Sequence, residues 1–264
     1  MDEFSSRFRL DGKRALLVGA AQGIGKGCAE VFESLGATLC LADLELQRVE
    51  EVRAGLSRHD EHSVHAVDVS DEVSVDTLIA GAIECLGHID VAVCTAGILF
   101  PAPFLKQTAS EWDRTFAVNA RGAFLIAQRS ARHMVERGQG GRIILYASII
   151  GTSVVRRNNV AYCASKAAVA QAVRAMALEL GPHGITVNAV SPGSTETEML
   201  VSTQSPGEIE SVIRGDASQW RLGIPLGRLA QPADQAMATA YLASDAARHI
   251  SGQEIAVDGG QNTV

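Results

Sequence analysis

The chain has 264 residues, 47% of them apolar, and a formal net charge of −7, which is ample material for a large buried core in a folded globular protein. The acidic balance and the lack of any Lys/Arg-rich block argue against a nucleic-acid partner, whose affinity rests on clustered cations. No apolar run reaches the roughly 18 residues of a membrane span, the start MDEFSSRFRL has no signal-peptide core, and five cysteines without a CxxC pair indicate neither a disulfide framework nor a metal site, so a cytoplasmic protein is expected.

From residue 13 onward, short aliphatic or β-branched runs alternate with longer amphipathic stretches, the pattern of βαβ units around a parallel sheet. Seven strands are predicted, at 14–19, 37–42, 63–68, 89–94, 142–148, 185–190 and 253–258, with helices starting near Gly23, Leu44, Glu72, Ser110, Val160 and Pro232. The strands are hydrophobic without alternation, which demands helices on both faces. One doubly wound α/β domain over 1–264, with no linker and no repeat, is the expectation. Residues 191–223 show no clean period. An irregular segment of that length at the carboxyl edge of a sheet reads as a lid over a ligand, with an ordinary surface insertion as the alternative.

The first strand runs into VGAAQGIGKG, placing Gly19, Gly23 and Gly25 where strand turns to helix. Glycines there let a pyrophosphate approach the helix N-terminus, whose free amides and dipole favour an anion. Asp43 closes the second strand 18 residues beyond Gly25, near the spacing of a carboxylate that binds an adenosine ribose. Such a carboxylate repels a 2′-phosphate and favours NAD over NADP. Asp43 is also placed to cap the following helix, which is compatible with that role. Asp68, ending the third strand, fits an adenine contact or a turn equally well.

Further on, AYCASKAAVA at 161–170 puts Tyr162 and Lys166 four apart, on one helix face. A phenol beside an ammonium can serve as a proton-transfer group, though a half-buried tyrosine next to a snorkelling lysine explains the spacing alone. Ser148, at the carboxyl end of the fifth strand, shifts the balance, because open α/β sheets bind ligands there. Asn119, polar within the apolar run TFAVNARGAF, reads either as the holder of a water linking Lys166 to solvent or as a core amide that distorts its helix.

Taken together, GAAQGIG, Asp68-Val69, Thr95-Ala96-Gly97, Asn119, Ser148, Tyr162 with Lys166, and SPG at 191–193 resemble, in order and over essentially the whole chain, the short-chain dehydrogenase/reductase family. The resemblance implies a Rossmann-type sheet and a catalytic tetrad. In it Tyr162 is acid/base, Ser148 orients the substrate oxygen, Lys166 binds the nicotinamide ribose and lowers the tyrosine's pKa, and Asn119 maintains a proton relay. It further implies NAD contacts from Gly19, Gln22, Gly23, Ile24, Gly25, Asp43, Leu44, Asp68, Val69, Thr95, Ala96, Gly97, Tyr162, Lys166, Pro192, Gly193, Thr195 and Thr197, and a homotetramer. Two departures stand out: Val18 where the family usually has Thr, and Cys94-Thr95 where it usually has two asparagines. Those asparagines mostly brace backbone, so stability and cofactor affinity are expected to feel the change more than the reaction.

The segments from residue 191 onward resemble in particular 2,3-dihydro-2,3-dihydroxybenzoate dehydrogenases, while sugar dehydrogenases and 3-oxoacyl carrier-protein reductases share many of them. A carboxylated substrate needs a cation, and Arg156 and Arg157 stand six and five residues before Tyr162. They read equally as solvated loop residues. Met199, Leu200 and Trp220 offer apolar cover for a ring, or core packing. His59, His62 and His65 recur every third residue across a loop and a strand, where that period does not converge side chains on a metal. A serine hydrolase through Ser148 lacks the GxSxG elbow. An idle dinucleotide sensor on the same fold would be expected to lose the tyrosine or lysine, and both are present.

Overall fold

The computed structural model describes residues 3–202, 205–219 and 223–263. Seven strands, β1 (Arg14–Val18), β2 (Thr38–Asp43), β3 (Ser63–Ala66), β4 (Val91–Cys94), β5 (Gly141–Tyr146), β6 (Ile185–Pro192) and β7 (Glu254–Val257), form one sheet in the order β3-β2-β1-β4-β5-β6-β7. Every neighbouring pair is parallel. Strand order reverses between β1 and β4, where Val18 has Ala42 on one side and Cys94 on the other. That reversal opens the crevice in which such sheets bind ligands.

The principal helices are α1 (Gly23–Ser34), α2 (Leu46–Ala54), α3 (Glu72–Leu86), α4 (Ala109–Phe116), α5 (Ala123–Arg137), α6 (Val160–Leu180) and α7 (Pro232–Ala243). Successive strand residues face opposite ways, so Leu16 joins one core and Leu17 the other. The Leu16 side takes Leu78 of α3, Ile126 of α5 and Val173 of α6; the Leu17 side takes Phe32 of α1, Val49 of α2 and Ala240 of α7. The sheet is thus covered on both faces, as its unbroken hydrophobicity requires.

The element boundaries move for local reasons. The α2 helix begins at Leu46, two residues later than predicted, because the Asp43 carboxylate takes the Glu45 amide at 3.4 Å and holds an extra turn residue. The helix predicted from Ser110 begins at Ala109, capped by the reciprocal Thr108–Glu111 pair, and is interrupted by a π-helical stretch at Ala117–Gly122 before α5. β6 extends to Pro192 because Ser191 and Pro192 pair with Ala256 and Val257. The predicted lid therefore starts two residues late, and it is partly helical, at Glu198–Val201 and Pro206–Arg214, rather than irregular. No helix among the described residues is long and apolar enough to cross a membrane.

The three spaced histidines part company. His59 is exposed, His65 packs against Gly81 and Cys85, and His62 is buried, with Nδ1 accepting the Leu39 amide at 3.3 Å. Burial, helped by the Arg58 cation, pushes the His62 imidazole below its ordinary 6.5. The folded state therefore binds this proton less readily than the unfolded chain. The stability His62 lends is complete above the unfolded pKa and is lost as pH falls below about 6.5 toward the folded value. Thermal melting between pH 7 and 5 should show a steeper fall for wild type than for His62→Gln; equal slopes would contradict this account.

Candidate active site

The glycine turn is set by contacts that leave no room for a side chain. A Cβ on Gly25 would stand 1.9 Å from the Gly19 carbonyl oxygen, and one on Gly19, at φ 89, would stand 2.4 Å from Thr95 Oγ1. Thr95 uses that hydroxyl to donate to the Val18 and Gly19 carbonyls, each at 3.0 Å. It thereby braces the loop at one of the positions where the chain departs from the family pattern. The Asp43 carboxylate accepts the Ala21 amide at 3.1 Å, so it ties the loop to β2, a contact its spacing did not reveal. Gln22 stands at the N-cap of α1 without a side-chain cap bond, leaving the first amides of a 12-residue helix to meet an anion. A dinucleotide fits this arrangement: a close-approach turn, uncapped amides and an acid at the end of β2.

The remaining predicted cofactor positions sort by environment. Leu44 is exposed and Val69 is buried against Gly122. Asp68 accepts both the amide (2.8 Å) and the hydroxyl (2.6 Å) of Ser70, which is the turn role. Ala96 packs on the core. Ile24, Thr95, Gly97, Pro192, Gly193, Thr195 and Thr197 line one cavity of about 160 Å³.

Ser148, Tyr162 and Lys166 line that same cavity. Ser148 follows β5 and opens the turn at Ile149–Thr152, its Oγ accepting the Ile150 amide at 3.1 Å. Tyr162 stands in the first turn of α6. Burial pushes its phenol above the ordinary 10, and the Ser148 hydroxyl draws it partly back. This direction is opposite to the lowering that the Tyr–Lys pairing predicts. The reason is geometric: the Lys166 ammonium lies 5.7 Å from the tyrosine ring centre and donates to the Tyr146 carbonyl at 2.8 Å. Lys166 is itself buried, and desolvation brings it down to about 8, with the nearby Cys94 opposing. Burial raises the Cys94 thiol to about 11, so it stays protonated beneath the lysine.

Asn119 lies within the π-helical stretch and is buried, so the helix is distorted at this residue. Its Oδ1 accepts the Ile98 amide at 2.8 Å, and its Nδ2 donates to the Ile98 carbonyl at 3.0 Å and to Ser165 Oγ at 3.1 Å. The side chain thus clamps the loop after β4 to α6. Gly97 sits between them, where a Cβ would lie 3.4 Å from Lys166 Nζ and 3.5 Å from Asn119 Oδ1.

The root of the lid is anchored by a buried polar chain that sequence reading missed. Thr195 Oγ1 donates to the Gly193 carbonyl at 3.1 Å and receives Gln235 Nε2 at 3.1 Å. Thr239 donates to the Gln235 carbonyl at 3.0 Å and lies 2.6 Å from the Tyr146 hydroxyl. Gln235 has no exposure at all, and the only hint in sequence was a polar residue within the apolar run QAMATAYLA. Thr197, at the end of this root, packs against Gly23, so the lid meets the glycine turn.

Of the predicted substrate residues, Arg156, Met199 and Leu200 line the cavity, whereas Arg157 is exposed outside it; Trp220 lies outside the described residues. Leu99, Ile150 and Asn159 also line it and were not foreseen. A larger depression of about 1040 Å³ lies between α1, α2 and the lid, bounded by Gln22, Arg48 and Glu198. It holds none of Ser148, Tyr162 and Lys166, which the smaller cavity brings together.

A family model described as Enoyl-(Acyl carrier protein) reductase matches residues 19–262. The chain is 36% identical over 253 residues to 2,3-dihydro-2,3-dihydroxybenzoate dehydrogenase of Bacillus subtilis, covering 95% of this chain and 96% of the relative. It is 39% identical over 254 residues to D-threitol dehydrogenase of Mycolicibacterium smegmatis, covering 96% and 94%. Among solved structures it superposes, with a TM-score of 0.90 and 32% identity over 99% and 98% of the two chains, on a 7α-hydroxysteroid dehydrogenase complexed with NADH and 7-oxo glycochenodeoxycholic acid. The fold is the doubly wound α/β sheet shared with the oxidoreductases it matches. The chain belongs to the short-chain dehydrogenase/reductase family.

Proposed function

We propose that this protein is an NAD-dependent oxidoreductase that moves a hydride between a secondary alcohol or ketone and the nicotinamide, with Tyr162 as acid/base. The observation carrying the reading is the convergence of Ser148, Tyr162 and Lys166 on one cavity beside an uncapped helix N-terminus and Asp43. The glycine turn with Gln22 would hold the pyrophosphate, Asp43 the adenosine ribose, and Lys166 with Gly97 and the Pro192–Thr197 root the nicotinamide end. When bound, the nucleotide supplies the hydride acceptor or donor and a positive ring that favours the phenolate. Ser148 orients the substrate oxygen toward the phenol. Tyr162, protonated in the nucleotide-free protein, gives its proton to a ketone oxygen, or takes one from an alcohol once the site's cationic charge offsets its burial. Lys166 and the Asn119 clamp fix the phenol's surroundings.

The substrate we favour is a cyclic alcohol of dihydrodiol or hydroxy-acid type, such as 2,3-dihydro-2,3-dihydroxybenzoate. Support comes from Leu99, Ile150, Met199 and Leu200 around the cavity, Arg156 at its wall and the relative that carries that name. A 3-oxoacyl carrier-protein reductase or sugar dehydrogenase is the second reading, favoured by the description of the matching family model and by the threitol-acting relative. The same proposal treats residues 1–264 as one domain, acting as a cytoplasmic homotetramer.

Nicotinamide reduction with cyclic diol acids, uncharged cyclic alcohols, sugars and 3-hydroxyacyl thioesters tests it. Preference for NAD and for carboxylated rings is expected, and Arg156→Leu should weaken kcat/KM for those rings alone by about 10- to 100-fold. Turnover confined to acyl thioesters with NADP would overturn both the substrate and the cofactor.

A further inference from the structure

Asn159 precedes α6 at the position from which asparagine usually caps a helix by accepting one of its first amides. It makes no such bond. Yet the residue is only 4% exposed and lines the cavity shared by Ser148, Tyr162 and Lys166. Its amide is therefore not spent on the helix and can pair with a ligand oxygen in the cavity.

The chain is bent to put it there. Asn158, at φ 65, is the one non-glycine residue with positive φ among the described residues, a conformation costing on the order of 1 kcal/mol. Its carbonyl accepts the Ala102 amide at 2.8 Å, which fixes the bend to the loop following β4. The strain delivers Asn159 to the cavity three residues before Tyr162, the spacing of neighbours on one helix face.

We propose that Asn159 is a specificity-determining residue that hydrogen-bonds a second oxygen of the substrate beside the reacting one, so that vicinal diols and hydroxy-ketones are preferred over mono-ols. Its amide both donates and accepts, so it serves a neighbouring hydroxyl in either oxidation state of the reacting carbon. This rests on the reading of the cavity as the substrate site of a hydride-transferring enzyme.

The test is kcat/KM with NAD for 2,3-dihydroxycyclohexanecarboxylate and 3-hydroxycyclohexanecarboxylate, in wild type and Asn159→Leu, with nucleotide binding followed by fluorescence as the control for an intact fold. Wild type should prefer the diol, and the variant should lose about 10- to 100-fold on the diol while keeping its rate on the mono-ol. An equal fall on both, or an unchanged diol rate, overturns the role of Asn159. Failure of wild type to reduce NAD with either compound, or with any alcohol of the broader panel, overturns the underlying reading of the cavity instead.

Discussion

Replacing Tyr162 with phenylalanine is expected to lower kcat by about 10³-fold while leaving the protein folded and able to bind nucleotide. The substitution keeps the ring and removes only the hydroxyl, which faces Ser148 in the cavity. Packing of α6 therefore survives, and the loss isolates proton transfer. Burial raises this phenol, so the wild-type rate of alcohol oxidation should climb with pH as the phenolate population grows. The residual rate of the variant should be flat over the same range. Steady-state kcat from pH 6 to 10 with both proteins measures this directly. Turnover within tenfold of wild type would remove Tyr162 from the reaction.

Lys166→Met should abolish useful turnover yet stabilise the nucleotide-free fold. The wild-type ammonium is buried and titrates at about 8 rather than 10.5, so holding it charged at neutral pH costs on the order of 3 kcal/mol. Its removal leaves the Tyr146 carbonyl without this donor, which costs about 1–2 kcal/mol. The first effect is larger, and the net gain of about 1–2 kcal/mol corresponds to a melting temperature higher by roughly 2–8 °C. The sign of the pH dependence follows from the same depression. Between pH 8 and 10.5 the unfolded chain retains a proton that the folded lysine has released, so this group makes wild-type stability rise with pH in that window. The variant should lack that rise. A melting temperature lowered by several degrees at pH 7 would show that the carbonyl bond outweighs the desolvation.

Much of the architecture was legible because it rests on periodicity and punctuation. Unbroken strands such as ALLV and TLCLA require burial on both faces, and the glycines after Val18 mark the turn, so the sheet and the position of its crevice follow from the sequence alone. Tyr162, Lys166 and Ser148 were readable because strand ends and helix spacing fix them relative to one another. What escaped depends on long-range pairing. Gln235 meets Thr195 across 40 residues, and the interior of α7 gives no local sign of a partner in the lid root. The π-helical stretch at Asn119 answers the clamp on Ile98, a contact invisible to propensity. The direction of the Tyr162 shift also escaped, because a spacing of four reveals that a lysine is near but not that it points at a carbonyl.

The measurement that tests the account most directly is isotope transfer. A cyclic diol acid carrying deuterium at the reacting carbinol carbon is incubated with the enzyme and NAD, and the reduced nucleotide is analysed by mass spectrometry. Direct hydride transfer predicts one deuterium in the nicotinamide for each ketone formed, with no label in water. Label released to solvent while the ketone accumulates, or nicotinamide reduced without label, would contradict it.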